Sequence, residues 1–131
     1  MNTTLTVGTH AHNDWCDITA EVERVVAAAD LEEGVATVFV PHTTAAVTLQ
    51  ENADPPLKRD ITDALERLFP WNGHYGHGEA NAAAHMKAVL MGPSVAVPFA
   101  RKKLVLGTWQ AIYLCEFDGP RERQVVIHVG P

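Results

Sequence analysis

The chain has 131 residues, 47% of them hydrophobic and 20% charged, with a formal net charge of −6 at pH 7. This length fits one domain, residues 1–131, able to bury a core without disulfide staples. The acidic balance argues against a general nucleic-acid binder, which needs a basic footprint. No apolar run approaches the ~18 residues of a membrane span.

The two cysteines, Cys16 and Cys115, lie in no CxxC pair and at no zinc-finger spacing. They are expected as free thiols in a reducing compartment. The N-terminal residues lack the basic and apolar regions of a signal peptide, so the expected location is the cytoplasm.

Residues 3–10 alternate and are rich in Thr, which predicts a first strand. A helix is expected to open near Asp17, with Thr19 as N-cap and Glu21 and Glu23 in its first turn. Val22, Val25, Val26 and Ala29 supply its apolar stripe, and it should end before Gly34. Val35 to Val40 form a β-branched run closed by Pro41, and residues 45–51 read as another strand. Asp54, followed by Pro55 and Pro56, starts a helix to about Phe69. Its expected buried face is Leu57, Ile61, Leu65 and Leu68. A loop rich in Gly and His covers 70–80. A helix over 81–91 stops at Gly92-Pro93. Strands are expected at 94–99, 103–107, 109–117 and 123–129. Mixed elements followed by a run of strands indicate an α+β fold. The expectation is a compact single domain with about three helices and a largely antiparallel mixed sheet. There is no internal repeat, no GxGxxG and no P-loop.

Polar residues that interrupt an apolar phase carry the functional reading. His42 continues the phase of Ala36, Val38 and Val40. Glu51 continues that of Ala45, Val47 and Leu49. Two such breaks close in sequence suggest one pocket that receives both. His85 shares a helix face with Ala82, Ala88 and Val89 and is expected to look inward. His77 lies between two glycines, which permit close backbone approach. Three imidazoles from three elements suffice for Zn²⁺ and leave a fourth position for water or substrate. A single histidine is more often a hydrogen-bonded core or surface residue. His10, His12, His74 and His128 keep that reading. Glu51, Asp54 and Asp60 are candidates for a general base and substrate ligands, against a strand-end charge, a helix cap and a solvated helix face. Glu116 sits in phase with Ile112 and Leu114 and needs a partner, for which Arg121 and Arg123 are in reach. Cys115 and Trp109 are expected in the core.

Several blocks together carry a family resemblance. They are His42-Thr43-Thr44-Ala45-Ala46, Glu51-Asn52-Ala53-Asp54-Pro55, His77-Gly78-Glu79 and Asn81 through His85. Leu90-Met91-Gly92-Pro93-Ser94-Val95, Leu106-Gly107-Thr108-Trp109-Gln110 and Glu116-Phe117-Asp118-Gly119-Pro120-Arg121 complete the series. The sequence resembles the YjbQ family, also described as secondary thiamine-phosphate synthase-like proteins. The resemblance implies a compact α+β fold, assembly as a homotrimer, and a site at or near subunit contacts. It implies His42, His77 and His85 as metal ligands, with Glu51, Asn52, Asp54, Gln110 and Arg121 in the same pocket. The synthase reaction joins a pyrimidine methyl diphosphate to a thiazole phosphate and releases pyrophosphate. Arg121 would pair with phosphate oxygens, and Glu51 would orient a ligand or accept a proton. Three imidazoles suit Zn²⁺, whereas a diphosphate recruits Mg²⁺ through oxygens. The alternatives are a metal-assisted hydrolase, a non-catalytic protein that binds a metal and a small ligand, and histidines that serve trimer assembly. Two positions depart from the family pattern. Ala83 stands where an acidic residue is usual two positions before the helix histidine. Ala100-Arg101-Lys102-Lys103 replaces an Asp-Gly turn.

Overall fold

The computed structural model describes residues 1–131 and contains eight strands and three helices. In chain order the elements are β1 (Asn2–Gly8), β2 (Asp14–Asp17), α1 (Thr19–Ala28), β3 (Glu33–Phe39), β4 (Ala45–Glu51), α2 (Pro55–Leu68), α3 (Ala82–Met91), β5 (Ser94–Ala100), β6 (Lys103–Leu104), β7 (Gln110–Glu116) and β8 (Glu122–Gly130). One sheet has the order β1-β8-β3-β5-β6 and the other β2-β7-β4. Every strand pair is antiparallel. The fold is α+β, as expected, with two sheets in place of one mixed sheet.

Alternation along the strands builds the main core. Ala36 and Val38 of β3, Ala45 and Val47 of β4, Ile112 and Leu114 of β7, and Val125, Ile127 and Val129 of β8 meet in one buried cluster. Helix α1 adds Ile18, Val22, Val26 and Ala29. A second cluster lies on the other face of the three-stranded sheet. There Ala46, Ala111, Tyr113 and Cys115 meet Leu65 of α2 and Ala84 and Ala88 of α3. Strand β7 is therefore buried on both faces, which accounts for its unbroken apolar run. Because successive residues point to opposite faces, Cys115 joins the second cluster, while Cys16, paired in register with Leu114, packs on the first. Both thiols are free. Leu114→Ala should leave a cavity in the tighter core and cost about 3 kcal/mol of unfolding free energy, read by urea denaturation. A loss below about 1 kcal/mol would mean that the two layers do not pack as described.

Several local expectations change. Asp14–Asp17 forms a short strand on β7 that the sequence did not announce, since its ends are acidic. Ile18 occupies the N-cap position of α1, and the Thr19 N–H donates to Asp17 Oδ1 at 3.0 Å. Thr19 itself accepts the Ile112 N–H through Oγ1 at 2.9 Å and so ties α1 to β7. Asp54 caps α2 by position only and makes no side-chain cap bond. Leu68 is 63% exposed, Trp109 61% and Val89 83%, against the expected burial. No other part of the chain covers these three, although each fits the apolar spacing.

Candidate functional site

Strand β3 delivers His42 to the site. Its ladder with β8 ends at the pair Phe39–Val126. Two residues further along β8, the Gln124 N–H has no β3 carbonyl opposite, because the chain turns away at Pro41. His42 follows that proline, and its Nε2 accepts the Gln124 N–H at 2.9 Å. The imidazole thus takes a place that a backbone carbonyl would hold in a longer ladder.

Helix α3 delivers His85, which is half-buried. His42 and His85 face one polar hollow of about 350 Å³ together with Pro41, Thr43, Thr44, Glu79, Asn81, Arg121 and Arg123. A second hollow of about 290 Å³ joins the same two histidines to Ala88, Val89 and Pro93 on the apolar side. His77 stacks edge-on against His85 with ring centres 4.8 Å apart. Its Nε2 lies 3.9 Å from Glu79 Oε2. His77 lines a separate hollow of about 400 Å³ bounded by Trp71, Tyr75 and Ala82. The structure therefore joins His77 to His85 and His85 to His42.

The floor of the polar hollow is a buried ion pair. Arg123 Nε donates to Glu116 Oε1 at 2.8 Å, and its Nη2 donates to Glu116 Oε2 and to Thr44 Oγ1. Thr9 Oγ1 and the Asp118 N–H donate to the same carboxylate at 2.8 Å and 3.0 Å. Of the two partners in reach of Glu116, Arg123 is the one used. Arg121 is half-exposed at the rim. Its Nη2 lies 3.1 Å from Asp118 Oδ2, and its Nε donates to the Asp118 carbonyl at 2.8 Å. Asn81 Nδ2 donates to Asp118 Oδ2 at 2.9 Å, so one carboxylate orients two residues of the rim. Burial first, and the nearby Arg123 charge second, hold His42 below the ordinary imidazole value.

The other expected site residues lie elsewhere in the chain. Glu51 pairs with Gln110 at the end of β4 remote from Ala45, which pairs with Glu116. Six extended residues separate the two ends, about 20 Å. Gln110 Oε1 accepts the Gly107 N–H at 2.9 Å and closes a turn. The Asn52 N–H donates to the Trp109 carbonyl at 3.0 Å. Asp54 is exposed at the start of α2. Within one chain, Glu51, Asn52, Asp54 and Gln110 thus share no pocket with His42, His85 and Arg121. Both phase breaks are real, but within one chain they stand at opposite ends of the β4–β7 ladder.

In one chain no three His, Cys, Asp or Glu side chains gather closely enough to hold a metal ion. The donor chemistry agrees: a neutral imidazole has one lone pair, and that of His42 is engaged by Gln124. Within one chain, His42, His77 and His85 do not gather into one three-residue cluster.

Residues 3–131 match the family model for UPF0047 protein YjbQ-like. The chain belongs to this family. It is 43% identical over 128 residues to the UPF0047 protein YugU of Bacillus subtilis, covering 97% of each chain. A solved structure of a YjbQ/UPF0047 family protein from Clostridium acetobutylicum aligns with a TM-score of 0.95 at 44% identity, over 98% of this chain and 99% of that one. A YbjQ-like protein of unknown function from Sulfolobus solfataricus aligns with a TM-score of 0.94 at 32% identity, over 98% and 95% of the two chains. The family gives the fold and its likeness across bacteria and archaea, and the names of these relatives state no activity.

Glu79, Asn81, Thr44 and Arg123 join His42 and His85 at the hollow, and phase alone does not assign them to it. Arg123 carried a signal, since it stands in the buried phase of Val125, Ile127 and Val129. Lys87 carried a similar one on α3. It is buried and donates to Glu66 Oε2 at 2.6 Å, on the far side of the helix from the hollow.

Proposed function

We propose that the chain is an enzyme of small-molecule metabolism that acts on a phosphorylated compound in the hollow between His42, His85 and Arg121. The observation that carries this reading is the convergence of two imidazoles and two guanidinium groups on one polar hollow of about 350 Å³. A guanidinium already oriented by a carboxylate loses little freedom when it pairs with a phosphate oxygen. The reaction we assign is thiamine-phosphate synthesis. The ring nitrogen of a thiazole phosphate attacks the methylene carbon of a pyrimidine methyl diphosphate. The carbon–oxygen bond breaks, and pyrophosphate leaves with the electron pair. Arg121 would neutralise charge on the leaving group, and a donor such as His85 would stabilise its departing oxygen. Hydrolysis of a phosphorylated substrate is the second reading, favoured by the His77–His85 pair beside the hollow.

A divalent metal would neutralise diphosphate charge, zinc by the imidazole donors and magnesium by phosphate oxygens. The residues' own roles in the reaction stand without it. The assembly we propose is a homotrimer. The exposed Met86, Val89 and Leu90 beside His85 support it, since apolar side chains grouped this way mark contact surfaces. In such an assembly Glu51, Asn52, Asp54 and Gln110 could reach the hollow of a neighbouring copy. The two free thiols support a reducing compartment, the cytoplasm. No helix is long and apolar enough to cross a membrane.

The test is pyrophosphate release from the two synthase substrates, with zinc content measured on the same samples. Release by the native chain that drops at least tenfold in His85→Ala supports the reading. Release that His85→Ala leaves unchanged removes the hollow from the chemistry, and no release directs the test to phosphate-ester hydrolysis. About one zinc per chain, lost in His85→Ala, would bring the metal into the reaction.

A further inference from the structure

We propose that His42 is a neutral imidazole that offers Nδ1–H to an anionic oxygen in the polar hollow, and that it is not a metal ligand. Its oxyanion partner rests on the reading above; its tautomer rests on the ring's own hydrogen bond.

A neutral imidazole has one N–H and one lone pair. The Gln124 N–H approaches Nε2 at 2.9 Å and occupies that lone pair. The ring proton is then on Nδ1. A metal binds the lone pair of a neutral imidazole, so His42 cannot serve both Gln124 and an ion. The Gln124 bond is hard to give up. Its strand is held on the other side by β1, where Thr6 pairs with Gln124 in register. Releasing the ring would leave a half-buried N–H without a partner.

The surroundings leave Nδ1 open to a ligand. Arg123 precedes Gln124 in the chain and is buried in bonds to Glu116 and Thr44. Its guanidinium lines the same hollow and is already held by those acceptors. Nδ1 has no hydrogen-bond partner in the protein and is not sealed in the interior. An oxyanion drawn to Arg121 would meet a neutral N–H in the same hollow. This is a cheap way to hold charge, because a neutral donor brings no counter-ion and no proton exchange.

Nitrogen-resolved NMR of the full chain, labelled at histidine, reads the tautomer directly. The His42 signals are assigned by their loss in His42→Asn. The expected pattern is a protonated Nδ1 and an unprotonated Nε2 that do not move when one equivalent of zinc is added. An Nε2–H tautomer, or a zinc-dependent shift of the His42 ring, would overturn the inference. Binding of inorganic pyrophosphate reads the donor role. His42→Asn places an amide near the Nδ1 position and should keep affinity within about threefold, while His42→Ala loses roughly tenfold or more. Equal losses in the two variants would also overturn it. The expected tautomer with no pyrophosphate binding by the native chain would refute the phosphate reading of the hollow and leave the tautomer established.

Discussion

Replacing Glu116 by alanine is expected to lower the unfolding free energy by about 3–5 kcal/mol at neutral pH, measured by chemical denaturation. Glu116 is fully buried and Arg123 almost so. Removal of the carboxylate leaves a buried guanidinium with only the Thr44 oxygens as protein acceptors. It also strands the Asp118 N–H, while the Thr9 hydroxyl keeps the Arg121 carbonyl, 2.9 Å away, as its acceptor. The double replacement Glu116→Leu with Arg123→Met should recover most of the loss, because it removes both buried charges together. It should not recover ligand binding, since the floor of the hollow would be apolar. A single-variant loss below about 1 kcal/mol would show that water reaches the pair.

The same residue sets an acid limit. Burial alone would raise the Glu116 carboxyl, but bonds from Arg123, the Asp118 N–H and Thr9 outweigh it and hold the group below the ordinary value of 4.5. A carboxyl lowered by folding stabilises fully above its unfolded value and loses that contribution as pH falls toward its folded one. Stability should therefore decline below about pH 4.5. The decline should be shallower in Glu116→Gln.

Arg121→Ala is expected to weaken binding of inorganic pyrophosphate by roughly ten- to a hundredfold in calorimetric titration, the loss of a charge-assisted hydrogen bond. The fold should tolerate the change. Arg121 is 48% exposed in its side chain and pairs only with Asp118, an interaction worth at most about 1 kcal/mol at a surface. Arg121→Lys keeps the charge and loses the planar fork, so its affinity should fall between the two. Unchanged affinity in Arg121→Ala would place the anion elsewhere. The hollow between Asn13, Lys58 and Arg59 is the first place to look.

Much of this fold was legible because alternation maps directly onto buried faces. Asn2–Gly8, Glu33–Phe39, Ala45–Glu51 and Glu122–Gly130 follow their expected strands to within a few residues. Gly92-Pro93 stops α3 as its chemistry requires. The failures share a cause. Leu68 and Val89 fit a helical stripe, but a stripe does not say whether its covering surface belongs to the same chain. The short strand Asp14–Asp17 owes its pairing to β7 and not to its own residues. At the site, His42 was visible as a break in the phase of Val38 and Val40. Its partner was not, because a backbone N–H leaves no mark in the sequence. Glu51 was equally visible, yet phase gives the face of a strand and says nothing about which ends meet.

The most direct measurement of the central claim is an amide NMR titration of the native chain with inorganic pyrophosphate. Shifts concentrated at Thr43, Thr44, Asn81, His85, Arg121 and Gln124, and absent in Arg121→Ala, are the predicted result. Shifts confined to α2 around Lys58 and Arg59, or none at millimolar ligand, would contradict it and leave the His42–His85 hollow without a phosphorylated ligand.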